Sequence, residues 1–221
     1  MLNRKAFEKR DQADPLSCLR AKFCLPEELI YLDGNSLGAL PDQVLKRVSS
    51  VIEREWGHDL IRSWTDNHWM ELPAILGDKI AQLIGARPGE VIACDSTSVN
   101  LFKVLSAALS QSTDRNVILS DRANFPTDLY IADGVISTME RDVELRLVSP
   151  EELEGQIDSS VAVLLLTHVD FRYGARYDMK HITKLAHDVG ALVIWDLAHS
   201  AGAMPVDLNA CEVDFAVGCG Y

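Results

Sequence analysis

The sequence predicts an α/β fold: a mostly parallel sheet with helices on both faces, preceded by an N-terminal arm. Three observations carry that expectation. From Val91 onward, short apolar runs alternate with amphipathic stretches, the pattern of strands joined by helical crossovers. Val161–Leu166 is apolar throughout, as a strand covered on both faces must be. Leu192-Val193-Ile194-Trp195 is equally apolar, and it delivers Asp196 and then His199 at its carboxyl end.

Taken in order, residues 1–40 read as an irregular arm of mixed charge, with a short helix near Leu16 to Phe23 and a turn at Asp33-Gly34-Asn35. From Pro41 an amphipathic helix is expected, because Val44, Val48, Val51 and Ile52 recur at helical spacing. The tryptophan-rich stretch Trp56 to Trp69 interrupts it. A second helix is expected over Glu71 to Ile84, closed by Gly85, which tolerates the left-handed turn that ends helices. Beyond it come a strand at Val91–Cys94, a helix at Val99–Leu109, a strand at Val117–Ser120, a helix at Thr127–Ser137 and a strand at Val143–Val148. Ser149-Pro150-Glu151-Glu152 reads as a helix start, with proline at the first position and a capping glutamate. After Val161–Leu166, the residues Ile182, Leu185, Ala186 and Val189 form one helical face ended by Gly190, and Phe215–Gly218 forms the last strand. The expected organisation is an arm over 1–40 and one large domain over 41–221.

Composition excludes some partners. The chain of 221 residues has 21 Lys plus Arg against 33 Asp plus Glu, a formal balance of -12. Such a surface repels phosphate backbones and anionic lipid, so neither nucleic acid nor a membrane is expected as partner. No apolar stretch is long enough to span a bilayer, and no signal-like block opens the chain. The 5 cysteines are scattered with no CxxC pair, which fits thiols in a reducing, cytoplasmic setting. His181 and His187 stand too far apart on their helix to share a face as a zinc pair would, and no metal is expected. There is no glycine-rich dinucleotide loop, no phosphate-binding loop ending in Gly-Lys-Ser or Gly-Lys-Thr, and no nucleophile elbow.

Three segments could carry chemistry. Ser96 and Thr97 sit between a strand and a helix, where hydroxyls and free backbone N–H groups can cradle a phosphate; the same residues also suit a plain helix cap. Asn124, Phe125, Pro126, Thr127 and Asp128 follow the next strand, either as a capping loop with an incidental aromatic or, through Phe125, as a flat platform for a ring-shaped cofactor. Asp196 ends a strand so apolar that its carboxylate needs a partner. Backbone amides could supply it, or a protonated ring nitrogen could, and such a charge-assisted bond is worth about 1.5–3 kcal/mol. Thr167 and His168 end a neighbouring strand on the same rim, where open α/β sheets bind ligands.

The chain resembles the kynureninases, pyridoxal-phosphate hydrolases, and most closely the bacterial type. The resemblance runs along essentially the whole chain through YLDGNSLG at 31–38, IRSW at 61–64, STSVNLFKVLSAAL at 96–109, NFPTDLYIA at 124–132, LTHVD at 166–170, WDLAHSAGA at 195–203 and GCGY at 218–221. It implies an aminotransferase-like, fold type I large domain that binds pyridoxal 5'-phosphate, a homodimer, and hydrolysis of L-kynurenine to anthranilate and L-alanine in tryptophan degradation. By the same resemblance Ser96 and Thr97 would hold the cofactor phosphate and Phe125 would stack on its ring. Pro126 and Thr127 belong to the same cofactor loop. Asp128 and Asp196 would lie near the ring nitrogen, and Thr167 and His199 would line the pocket. Tyr221 would reach the phosphate and donate a proton, while Asn35, Ser36 and Trp64 would contact substrate.

A Schiff-base lysine is expected directly after Tyr221, and an arginine for the substrate carboxylate beyond it. The large domain is therefore expected to be incomplete at its C-terminal end, within a longer parent enzyme. The motifs leave open another fold type I enzyme, such as a cysteine desulfurase or a class V aminotransferase, a non-catalytic fragment, and the choice between kynurenine and 3-hydroxykynurenine.

Overall fold

The computed structural model describes residues 3–221 and divides into two compact units, one running to Met70 and including Tyr221, the other Glu71–Gly220. In the first unit, α1 spans Arg4–Ala13 where the sequence suggested irregular chain. Asn3 caps it by accepting from the Ala6 N–H at 3.1 Å, and Arg4 pairs with Glu8 one turn on at 2.9 Å. No residue of α1 is buried, so capping and local pairing hold it, and a search for an apolar stripe misses it. A 3₁₀ turn at Ser17–Lys22 stands where the short helix was expected. α2 (Asp42–Ser50) runs on into a wide π-helical stretch, Val51–Asp59, followed by a 3₁₀ turn at Leu60–Arg62 and α3 (Ser63–Asp66). Glu55 is the buried pivot of this segment. It accepts from Arg47 at 2.5 Å and from the Trp69 indole N–H at 2.8 Å, and these two bonds hold its carboxyl below the usual range.

The second unit contains α4 (Leu72–Ile84), α5 (Thr97–Gln111), β1 (Val117–Asp121), α6 (Pro126–Thr138), β2 (Glu144–Val148), β3 (Val161–Thr167), α7 (Met179–Asp188), β4 (Leu192–Asp196) and β5 (Phe215–Val217). The five strands form one parallel sheet in the order β2-β1-β3-β4-β5. Side chains alternate between its faces. Leu119, Leu164, Leu166, Val193 and Trp195 join Ile182 and Ala186 of α7 in one core. Ile118, Leu165 and Ile194 join Leu101, Leu105, Ala132 and Val135 of α5 and α6 in the other. Helices therefore cover both faces, which is why β3 is buried at every position. Gly85 closes α4 in the left-handed region at φ 64°, as its position predicted.

Two expected elements differ. Val91–Cys94 forms no strand: the Ala93 N–H donates to Pro73 O at 3.1 Å, at the start of α4, and Ile92 is exposed. No other strand of the described residues lies beside this segment to complete a ladder. The start at Ser149 forms its cap, with Ser149 Oγ donating to Glu152 Oε2 at 3.0 Å, but only a 3₁₀ turn at Glu154–Gln156 follows. Gly155 weakens the helix there, and the chain must reach β3 at Val161.

Candidate active site

The strand order reverses between β1 and β3: β2 lies outside β1 on one side, while β3, β4 and β5 extend on the other. In open parallel sheets the crevice beyond the carboxyl ends at such a reversal is where ligands bind. Asn124, Phe125 and Asp128 follow β1 directly, Thr167 ends β3 and Asp196 ends β4, with Thr167 and Asp196 paired in register.

Two acids meet there. Asp128 enters the first turn of α6 and is 2% exposed, as is Asp196. Asp196 Oδ1 accepts from the Ala198 N–H at 2.8 Å, whereas Asp128 Oδ2 has no hydrogen-bond partner among the described residues. Burial, then the Asp196 charge, pushes the Asp128 carboxyl up to about 8. Burial raises Asp196 as well, opposed by the Ala198 amide and the nearby His199. Two buried carboxyls this close cannot both ionise at low cost, so the site calls for a proton or a cation between them.

An aromatic cluster stands beside the acids. The Phe125 ring meets Phe171 edge-on at 5.2 Å and His199 at 5.9 Å, and Phe171 lies tilted against His199 at 6.3 Å. Arg172 places its guanidinium 5.1 Å over Phe171 and donates to Ala123 O at 2.7 Å, tying the loop after β3 to the loop after β1. A small cleft is lined by Asp121, Asn124, Phe125, Thr167, Asp170, Phe171 and Tyr177. Within it the Tyr177 hydroxyl donates to Asp121 Oδ2 at 2.7 Å, and burial with that bond pushes the phenol far above its ordinary range.

Ser96 is the N-cap of α5, its hydroxyl accepting from the Val99 N–H at 3.3 Å, and Thr97 Oγ1 donates to Gly218 O at 3.1 Å just beyond β5. Asp95 before them holds a left-handed φ of 46° and pairs with Lys103 at 2.5 Å. The start of α5 is thus anchored to the end of β5, on the rim that carries Asp196. Pro126 and Thr127 form the exposed first positions of α6.

The remaining sequence-named residues lie in the first unit. Asn35 and Ser36 are exposed in a turn in which Ser36 Oγ donates to Asp33 Oδ1 at 2.7 Å. Trp64 stacks edge-on against Trp69 at 5.9 Å. Tyr221 has its backbone against Gly38, where an added Cβ would meet Tyr221 O at 2.6 Å. The sequence reading missed Phe171 and, though it included Asn124 in the loop after the strand, gave that residue no role. The signal available for Asn124 was a polar residue between a buried strand and a proline-led helix; for Phe171 it was an aromatic in the loop beyond a strand's carboxyl end.

The aminotransferase class-V family matches residues 30–220. The chain belongs to that family. Among its relatives, this class-V chain is 54% identical to the kynureninase of Pseudomonas fluorescens over 216 residues, which is 96% of the chain and 52% of that relative. It is 52% identical to the kynureninase of Burkholderia pseudomallei strain 1106a, with the same coverage of 96% and 52%. The chain thus spans about half the length of the curated relatives it matches. Among solved structures it is similar to a C-DES mutant with glycine covalently linked to the PLP cofactor, at TM-score 0.77 and 18% identity, covering 91% of this chain and 55% of that one. The apo cysteine desulfurase of Thermococcus onnurineus NA1 gives TM-score 0.70 at 22% identity, covering 92% and 52%. At these identities the structural likeness shows the fold alone.

Among the described residues, no helix is long and apolar enough to cross a membrane, and no group of three or more His, Cys, Asp or Glu could hold a metal ion.

Proposed function

We propose that this chain carries part of the active site of a kynureninase, which binds pyridoxal 5'-phosphate and hydrolyses L-kynurenine to anthranilate and L-alanine. The observation that carries the reading is the buried pair Asp128 and Asp196 at the strand-order reversal, with Asp128 Oδ2 unpartnered and its carboxyl raised. The 54% identity to a kynureninase supports L-kynurenine as the substrate.

The residues present fit the cofactor. A protonated pyridine nitrogen is a flat, singly charged donor, and it answers both the orphaned oxygen and the mutual repulsion of the two acids. When bound, pyridoxal phosphate supplies an electron sink for the carbon bearing the substrate's amino group. Asp196 and Asp128 hold the proton on the ring nitrogen; a charge-assisted bond of about 1.5–3 kcal/mol keeps it there one to two pH units higher than in water. Phe125 offers its face to the ring, with His199 and Thr167 completing the pocket. Ser96 and Thr97, with the free N–H groups at the start of α5, suit the phosphate. Pro126 sets the backbone on which Phe125 and Thr127 sit.

Tyr221 is the proposed proton donor, and Asn35, Ser36 and Trp64 are the proposed substrate contacts. The working protein is proposed to be a cytoplasmic homodimer, with residues 41–221 contributing to its cofactor-binding domain. The test is direct: the protein expressed from its full gene is incubated with L-kynurenine and with 3-hydroxykynurenine, and anthranilate or its 3-hydroxy counterpart is followed by fluorescence. Absence of both products refutes the assignment.

A further inference from the structure

We propose that Asn124 is a positioning residue of this site, whose single carboxamide fixes both the Phe125 platform and the Thr167 hydroxyl beside the acid pair. The inference rests on the proposed pyridoxal-phosphate site and extends it to a residue outside the proposed cofactor contacts. Asn124 is 6% exposed, and every polar atom of its side chain is used. Oδ1 accepts from the Phe125 N–H at 2.7 Å and from the Thr167 hydroxyl in a very short contact. Nδ2 donates to Ser120 Oγ at 3.0 Å and toward Leu165 O at 3.4 Å. Ser120 Oγ in turn donates to Leu165 O at 2.7 Å, which leaves its lone pair for the amide. One side chain therefore joins the ends of β1 and β3 to the N-cap of α6.

The orientation of this amide is dictated by its surroundings. Phe125 N–H is a donor, so only the carbonyl end of Asn124 can face it. Thr167 meets the same oxygen and must donate its one hydroxyl proton there. The Thr167 hydroxyl, so held, also lies within hydrogen-bond reach of the Asp128 carboxyl, whose rise it moderates. Asn124 thus acts through two others: it orients the ring platform through the Phe125 backbone, and it sets which way the Thr167 hydroxyl points.

The test compares Asn124→Ala, Asn124→Asp and Ser120→Ala with wild type, all expressed from the full gene. Each is titrated with pyridoxal phosphate, its visible circular dichroism is recorded, and a thermal melt reports folding. Loss of the two bonds to Oδ1 is expected to weaken cofactor binding in Asn124→Ala about tenfold and to reduce the dichroic band. Asn124→Asp keeps an acceptor for Phe125 and Thr167 but adds a third buried acid beside Asp128 and Asp196. It is therefore expected to regain the dichroic band only in part, and more at low pH than at high. Absence of recovery over Asn124→Ala at every pH counts against the inference. Ser120→Ala removes only the support on the Nδ2 side and is expected to stay within about twofold of wild type. Wild-type affinity and dichroism in Asn124→Ala overturn the inference, as does equal weakening in Asn124→Ala and Ser120→Ala, which would mark mere loosening of the β1 end. If wild type itself binds no pyridoxal phosphate, the proposed function fails, and the inference with it.

Discussion

Replacing Asp128 by Asn should make the cofactor-free protein more stable and the cofactor-bound protein weaker, two effects of opposite sign from one atom. In the folded chain burial and the Asp196 charge push the Asp128 carboxyl up to about 8, against about 3.9 in an unfolded chain. Between those values the folded state binds the extra proton, so stability falls as pH rises through the window, by up to about 1.4 kcal/mol per pH unit. From pH 6 to pH 8 that amounts to about 2 kcal/mol, or roughly 4–8 °C of melting temperature for a protein of this size. Asp128→Asn removes the titrating group, and its amide can donate to Asp196 in place of the repulsion. The variant's melting temperature should therefore exceed that of wild type at pH 8 and converge with it toward pH 5. Its affinity for pyridoxal phosphate should drop about tenfold, because one charge-assisted bond to the ring nitrogen is gone. Scanning calorimetry across pH and a cofactor titration measure both. If Asp128→Asn melts below wild type at pH 8 without cofactor, the two acids are not in conflict and the site is not built to receive a cation.

Three further outcomes follow from the geometry. Phe125→Ala removes the ring platform and its contacts with Phe171 and His199, so cofactor affinity should fall about tenfold while the melt changes by only a few degrees, as titration and calorimetry would show. Tyr177→Phe leaves buried Asp121 Oδ2 without its hydroxyl donor and should cost about 1–3 kcal/mol in urea denaturation. Gly77→Ala would bring a Cβ within 1.9 Å of Val91 O, a backbone atom that cannot swing aside, so a loss of about 3 kcal/mol is expected in the same assay.

Much of the sheet was legible because burial on both faces leaves a plain mark. A run such as Val161–Leu166 has no polar residue to place, and a half-exposed strand would have alternated. The breaks at Gly85 and Gly190 were legible for a different reason: both adopt positive φ, at 64° and 77°, where glycine is the unstrained choice. What escaped was whatever depends on a partner distant in the chain. Val91–Cys94 has strand composition, yet its backbone bonds to the start of α4, and composition cannot reveal where an N–H goes. α1 escaped because it buries nothing, so the periodic signal that betrays most helices is missing. At the site, Asp196 and Asp128 each stood out singly as acids against apolar strands. Their mutual conflict is a property of the fold, created when β1 and β4 end on the same rim.

That conflict has a structural logic. An acid buried alone at a strand end would tend to be replaced by a residue that packs better, since an unpaired carboxylate costs several kcal/mol. An acid satisfied at both oxygens by backbone amides would have little left to offer a ligand, whereas at Asp196 the Ala198 amide engages Oδ1. A useful cation site lies between these extremes: one carboxylate anchored so that its direction is fixed, and a second left incomplete so that binding relieves it. Asp196 fills the first role and Asp128, whose Oδ2 has no partner, the second. On this argument the stability gained by curing Asp128 and the affinity lost by curing it are the same free energy, released on folding in one case and on binding in the other.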